Sequence, residues 1–213
     1  MENRGYFVTF EGGDGSGKTT VMERVQEILS EWNIPVTSTR EPGGVPISEQ
    51  IRAVILDTDN TAMDVRTEVL LFAASRRQHM VERILPALEA GFMVLSDRFV
   101  DSSLVYQGIA GNAGVEEVAR INDYAIEGIW PDVTYFLDSR PERCLARIRG
   151  NTSHEDNRLD RETVDYHNRV YDGFLKLLDL YPQRIVSIDG DRTVEEEAQE
   201  IASDLRKRWI ERR

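Results

Sequence analysis

The run Phe10-Glu11-Gly12-Gly13-Asp14-Gly15-Ser16-Gly17-Lys18-Thr19-Thr20 satisfies the pattern G-x-x-x-x-G-K-[ST] at every fixed position. Such a loop binds a nucleoside triphosphate. Glycines let successive backbone N–H groups curl around an anion, and the following helix points its positive end at the same place. The lysine reaches the outer phosphates and the first threonine offers its hydroxyl to Mg²⁺. The candidate ATP-binding residues are therefore Gly12, Gly13, Asp14, Gly15, Ser16, Gly17, Lys18, Thr19 and Thr20, with Lys18 also a candidate catalytic cation and Thr19 a candidate metal ligand. The lysine is informative in itself, because 23 of the 26 basic residues are arginine and Lys18, Lys176 and Lys207 are the only lysines.

A phosphate loop needs a strand before it and a helix after it. The apolar run Tyr6–Phe10 reads as a buried strand, and Val21, Met22, Val25, Ile28, Leu29 and Trp32 recur at helical spacing. Further short apolar runs at Val36–Thr39, Phe92–Ser96, Val133–Leu137 and Ile185–Ile188 predict four more strands, each of the kind found in a parallel sheet covered on both faces. Helical patterns lie between them, near 48–56, 64–90, 115–127, 141–149, 161–180 and 193–211. The expectation is a doubly wound α/β fold, a five-stranded parallel sheet with helices on both faces. Ligands bind outside the carboxyl ends of such strands. Beside the phosphate loop, those positions hold Arg40-Glu41-Pro42-Gly43-Gly44, Asp97-Arg98-Phe99, Asp138-Ser139-Arg140 and Asp189-Gly190. The polar stretch Arg147–Arg161 reads as a lid over about 150–160, although polarity alone fits a solvated surface loop equally well.

With 213 residues and no linker or repeat, one domain over 1–213 is expected. A net charge of -12 argues against a binder of nucleic-acid polymers, which needs a basic face to displace counterions. No apolar run approaches the roughly 20 residues needed to span a bilayer and no signal-peptide stretch opens the chain, so no membrane partner and a cytoplasmic location are expected. Cys144 stands alone, which excludes an intramolecular disulfide and a thiolate metal cluster, and reads as a helix-packing residue. His79, His154 and His167 are too scattered for a metal-ligand pattern and read as structural or solvent-facing.

Four segments together resemble the bacterial thymidylate kinase family. They are Phe10-Glu11-Gly12 leading into the phosphate loop, Thr39-Arg40-Glu41-Pro42-Gly43-Gly44, Leu70-Leu71-Phe72-Ala73-Ala74-Ser75-Arg76-Arg77-Gln78-His79, and Asp97-Arg98-Phe99-Val100-Asp101-Ser102-Ser103-Leu104-Val105-Tyr106-Gln107-Gly108. Their order and spacing are similar to the family's over nearly the whole chain. The resemblance implies the P-loop kinase fold with a lid, transfer of the γ-phosphoryl group of ATP to dTMP with Mg²⁺ as cofactor, and a homodimer packed through long helices. Another nucleoside or nucleotide kinase of the same fold is the neighbouring alternative. A regulatory switch protein that binds nucleotide without transferring phosphate is the alternative from another class.

The resemblance also implies roles. Arg98 holds the acceptor's phosphate, and Asp97 helps position Mg²⁺ through water. Arg40 and Glu41 lie near that phosphate and the metal, making Glu41 a further candidate ligand, and Arg52 approaches the same phosphate. Asp14 contacts the sugar 3'-hydroxyl, whereas Glu11 is structural. Phe72 stacks on thymine, Arg76 donates to the base, and Ser103, Tyr106 and Gln107 close the pocket. Arg147, Arg149 and Arg158, in or beside the lid, are the candidates to meet transition-state charge, with Arg149 and Arg158 counted among the catalytic residues. The family often carries an arginine after the Tyr-Gln-Gly segment, but Ile109-Ala110-Gly111-Asn112 has none.

Overall fold

The structure is a computed structural model that describes residues 4–150, 158 and 163–212. Among these, five strands form one parallel sheet: β1 (Tyr6–Glu11), β2 (Val36–Arg40), β3 (Met93–Asp97), β4 (Val133–Asp138) and β5 (Ile185–Asp189), in the order β2-β3-β1-β4-β5. Each of the five runs to a charged residue beyond its apolar core. Glu11, Arg40, Asp97, Asp138 and Asp189 therefore close the carboxyl edge of the sheet.

Alternation along β1 separates two cores. Tyr6, Val8 and Phe10 pack on one face against α1 (Lys18–Glu31) and α9 (Val194–Glu211), while Phe7 faces the other with Val94, Phe99 and Phe136. On that second face lie α3 (Val65–His79), α4 (Leu85–Glu89), α5 (Val100–Ser103), α6 (Val115–Ile126) and α8 (Val164–Leu180). The central strand β1 and its neighbour β3 thus send their following helices to opposite faces. The crevice this opens at their carboxyl ends is where ligands bind in such sheets. Two further helices, α2 (Pro46–Leu56) and α7 (Pro141–Gly150), follow β2 and β4.

The helix expected over 64–90 is interrupted. It starts at Asp64, whose side chain accepts from the Arg66 N–H at 2.9 Å, but after His79 the ladder widens into a π turn over Met80–Ile84 before α4. Pro86 is the reason: it has no N–H to give and its ring crowds the carbonyl four residues back. The Leu85 N–H accordingly bonds to Met80, five residues back. A second difference is the helical stretch α5 and its π-helical continuation Leu104–Ala110, which sequence periodicity did not reveal. It is buried on nearly all sides, so no polar face marks its period. The helix expected from 161 runs from Val164, residues 161 and 162 lying outside the described residues. Of the segment expected as a lid, only Gly150 and Arg158 lie within them. No helix among the described residues is long and apolar enough to cross a membrane.

Candidate active site

The phosphate loop turns tightly because three of its glycines have positive φ, Gly12 at 146°, Gly15 at 81° and Gly17 at 98°. At Gly15 a side chain is also excluded by space, since a Cβ would lie 2.4 Å from the Cys144 carbonyl oxygen. Cys144 is thus the packing residue expected, seated in α7 beneath the loop. Lys18 donates from Nζ to the Gly13 carbonyl at 2.9 Å, spanning the loop's mouth. Burial, and then the nearby Arg98 charge, pull this lysine below its usual pKa against Asp97, Asp14 and Glu11. Thr19 Oγ1 donates to Asp97 Oδ2 at 2.5 Å, so the hydroxyl and the carboxylate expected near a cation meet.

Arg98 follows β3 with φ of 69°, an uncommon conformation for a residue with a Cβ. Its own N–H bonds to the Phe10 carbonyl at 3.0 Å and its carbonyl accepts from Ser96 Oγ at 2.8 Å, which hold the turn. The guanidinium folds back over the phosphate loop, donating to the Gly12 carbonyl at 3.1 Å, to Asp14 Oδ1 at 2.5 Å and to Ser102 Oγ at 2.9 Å, and it sits 5.0 Å from the Tyr106 ring centroid. Tyr106 completes the cluster by donating to Asp14 Oδ2 at 3.0 Å. Burial works against the Asp14 carboxylate, but Arg98 and Lys18 overcome it and hold its pKa below the usual range.

A second cluster lies on α3. Arg76 is almost wholly buried and donates from Nε to Glu41 Oε2 at 2.7 Å, from Nη1 to Ser103 Oγ at 3.0 Å, and to Asn122 Oδ1. The other oxygen of Glu41 lies 2.9 Å from His79 Nδ1, and His79 Nε2 lies 2.6 Å from Thr39 Oγ1. Gly44 permits this approach, because a Cβ there would lie 2.7 Å from His79 Nε2. The carbonyl of Pro42 accepts from Arg40 at 2.8 Å and from Arg52 at 3.1 Å, drawing these two arginines to one point. Gln107 donates to Glu68 Oε1 at 2.8 Å.

One cleft of about 1110 Å³ joins the two clusters, lined among others by Lys18, Thr19, Arg52, Phe72, Arg76 and Arg98. Arg40, Glu41, Asp97, Ser103, Tyr106 and Gln107 line it too. The lid-side arginines divide. Arg147 reaches the phosphate loop, donating to the Ser16 carbonyl at 3.0 Å and the Gly15 carbonyl at 3.4 Å. The structure does not bring Arg149 there: two residues further along α7, it points away from Arg147 and is exposed. Nor does it bring Arg158 there, whose guanidinium is bound to Glu68 and, at 3.2 Å, to the Ile55 carbonyl. Sequence reasoning missed His79, Asn122, Glu68 and Ser102 as parts of this site. Apart from the four-residue contact of Ser102 with Arg98, their partners lie tens of residues away, and no local pattern signals such contacts.

A family model of thymidylate kinase matches residues 10–201. The chain belongs to this family. It is 52% identical over 204 residues to the thymidylate kinase of Clostridium novyi (strain NT), covering 96% of this chain and 100% of that one. It is 48% identical over 205 residues to the thymidylate kinase of Halalkalibacterium halodurans, covering 96% and 98%. The crystal structure of thymidylate kinase from Ehrlichia chaffeensis matches the fold with a TM-score of 0.76 at 31% identity, over 95% of this chain and 99% of that one. The five-stranded α/β architecture expected from the sequence is that of the family.

Two buried glutamates at the carboxyl edge show how contact with a cation decides protonation. Glu41 touches Arg76 and His79, and despite burial its pKa is lowered. Glu11 accepts from the Phe99 N–H at 2.8 Å, the Ser102 N–H at 3.2 Å and Ser102 Oγ at 2.6 Å, but pairs with no guanidinium among the described residues. Burial, and then the Asp101 carboxylate, push it from 4.5 up to about 7 against Arg98. A carboxyl that is easier to protonate folded than unfolded stabilises the fold less as pH rises between those two values. Denaturant melts across pH 5 to 8 should show the wild type losing stability relative to Glu11→Gln as pH rises. A pH-independent difference between the two would contradict this placement of Glu11.

Proposed function

We propose that the chain, acting as a single kinase domain, transfers the γ-phosphoryl group of ATP to dTMP, giving dTDP and ADP in the supply of dTTP. The observation that carries this reading is the continuity of the cleft. Arg98 contacts both the phosphate loop and Tyr106, so one guanidinium serves the donor end and the acceptor end at once. The anionic oxygen of the acceptor phosphate forms the new bond to the γ-phosphorus as the bond to the β–γ bridging oxygen breaks and ADP departs with that electron pair. No general base is required, so the protein's part is position and charge.

Lys18 contacts the outer phosphates through transfer. Arg98 holds the acceptor phosphate, with Arg40 and Arg52 converging from the Pro42 turn. Asp14, already an acceptor for Arg98 and Tyr106, takes the sugar 3'-hydroxyl. Phe72 stacks on thymine, Arg76 and Gln107 meet its edge, and Ser103 and Glu41 hold Arg76. With both oxygens of Glu41 engaged by Arg76 and His79, the metal role goes to Thr19 and Asp97. That adjacent hydroxyl and carboxylate form an oxygen donor set of the kind Mg²⁺ takes, completed by substrate phosphates. Bound there, Mg²⁺ would neutralise charge on the transferred group. Of the lid-side arginines, Arg147 takes the place beside the triphosphate.

A cytoplasmic homodimer belongs to the same proposal. Leu70 on α3 and Tyr124 on α6 are 58% and 89% exposed, apolar surface on adjoining helices that a second copy would cover. Sedimentation at the mass of one chain, 24.4 kDa, would contradict the pairing. For the reaction, ADP release should depend on dTMP and fall about a hundredfold or more in Lys18→Ala with the fold intact. ATP turnover unaffected by dTMP, or by the loss of Lys18, would contradict the assignment.

A further inference from the structure

Gln107 and Glu68 form a buried pair beside the cleft that the phosphoryl-transfer chemistry does not use. Gln107 Nε2 donates to Glu68 Oε1 at 2.8 Å, and both residues are at least nine-tenths buried. A primary amide presents a donor on one side and an acceptor on the other, and turning it over exchanges the two. Only its neighbours decide which way it faces. An ionised carboxylate has no hydrogen to give, so a reversed amide would set two acceptor oxygens against each other in a closed site. The second oxygen of Glu68 accepts from Arg158, so that guanidinium leaves the oxygen facing Gln107 to the amide alone.

We propose that Glu68 is a specificity-determining positioning residue, which locks the amide of Gln107 with its oxygen toward the acceptor base. The proposal rests on the reading of dTMP as the acceptor. The cleft then offers the base one donor and one acceptor. The donor is Arg76, whose Nη2 makes no hydrogen bond among the described residues, and the acceptor is Gln107 Oε1. This pair complements the imide N–H and 4-oxo group of thymine. Cytosine presents a ring acceptor and an amino donor on the same edge, so it meets a mismatch at both positions. Without Glu68 the amide is free to turn, and the mismatch at one position disappears.

The test compares kcat/KM for dTMP and dCMP in the wild type, Glu68→Gln, Gln107→Met and the double variant. Glutamine keeps the size of Glu68 but can donate as well as accept, so the dTMP-to-dCMP ratio should fall by about tenfold or more in Glu68→Gln. In the Gln107→Met background the same change should leave the ratio as it is, because Glu68 acts only through Gln107. A drop shared equally by both acceptors, or an equal effect of Glu68→Gln in both backgrounds, would assign Glu68 a merely structural role and overturn the proposal. If the wild type accepts dCMP as readily as dTMP, the reading of the base falls and the proposal with it. Should Glu68→Gln fail to fold, the side-chain amide of Gln107 in ¹⁵N-labelled wild type decides. Held against Glu68, its protons should exchange with water far more slowly than those of exposed glutamines, and equally fast exchange would overturn the lock.

Discussion

A cleft that brings two phosphorylated nucleotides together has to hold several cations close to one another before either nucleotide arrives. This chain does so in a protein of net charge -12 by giving two of the arginines that line the cleft a carboxylate each. Arg98 is held by Asp14 and Arg76 by Glu41. A buried unpaired guanidinium would lose its hydration with nothing in return, whereas a paired one stays charged and fixed in direction. The surplus donors of each arginine then remain for substrate. Arginine suits this arrangement better than lysine because its planar fork can serve a carboxylate and a ligand at once, and Lys18 is the one lysine that lines the cleft.

The fold supplies the directions. The strands β1 and β3 pair in register, Phe10 opposite Asp97, so the phosphate loop and the Asp97-Arg98 turn leave the sheet side by side. Their helices then part to opposite faces. Glu11, the last residue of β1, fastens the second turn to the first by accepting from Phe99 and Ser102. The stiffness of the site is thus that of a sheet edge, and the left-handed turn at Arg98 persists because bonds on both sides of it are already made.

The α/β class, all five strands and the phosphate loop were legible in the sequence because each depends on local pattern. Strand ends were less so. Glu11, Arg40, Asp97, Asp138 and Asp189 interrupt apolar runs, yet they continue the pairing, since a charged side chain at the open edge of a sheet reaches solvent or ligand. The π turn before Pro86 could be foreseen from proline's missing donor. The helix over Val100–Ala110 could not, because burial on all sides erases its period. Within the candidate site, the phosphate-loop pattern singled out Lys18 and Thr19, and the place after a strand singled out Asp97 and Arg98, while His79, Asn122 and Glu68 escaped. Contacts such as Asn122 with Arg76 join elements that only the folded chain brings together.

The most direct test of whether Arg98 is held ready for the acceptor's phosphate is calorimetric titration with dTMP and with thymidine, which differ only in that phosphate. Wild type should bind dTMP more tightly than thymidine. In Arg98→Ala that advantage should shrink by roughly 10- to 100-fold, the scale of a lost charge-assisted contact of about 1.5–3 kcal/mol, with thymidine affinity nearly unchanged. An advantage undiminished in Arg98→Ala would contradict the role given to this arginine.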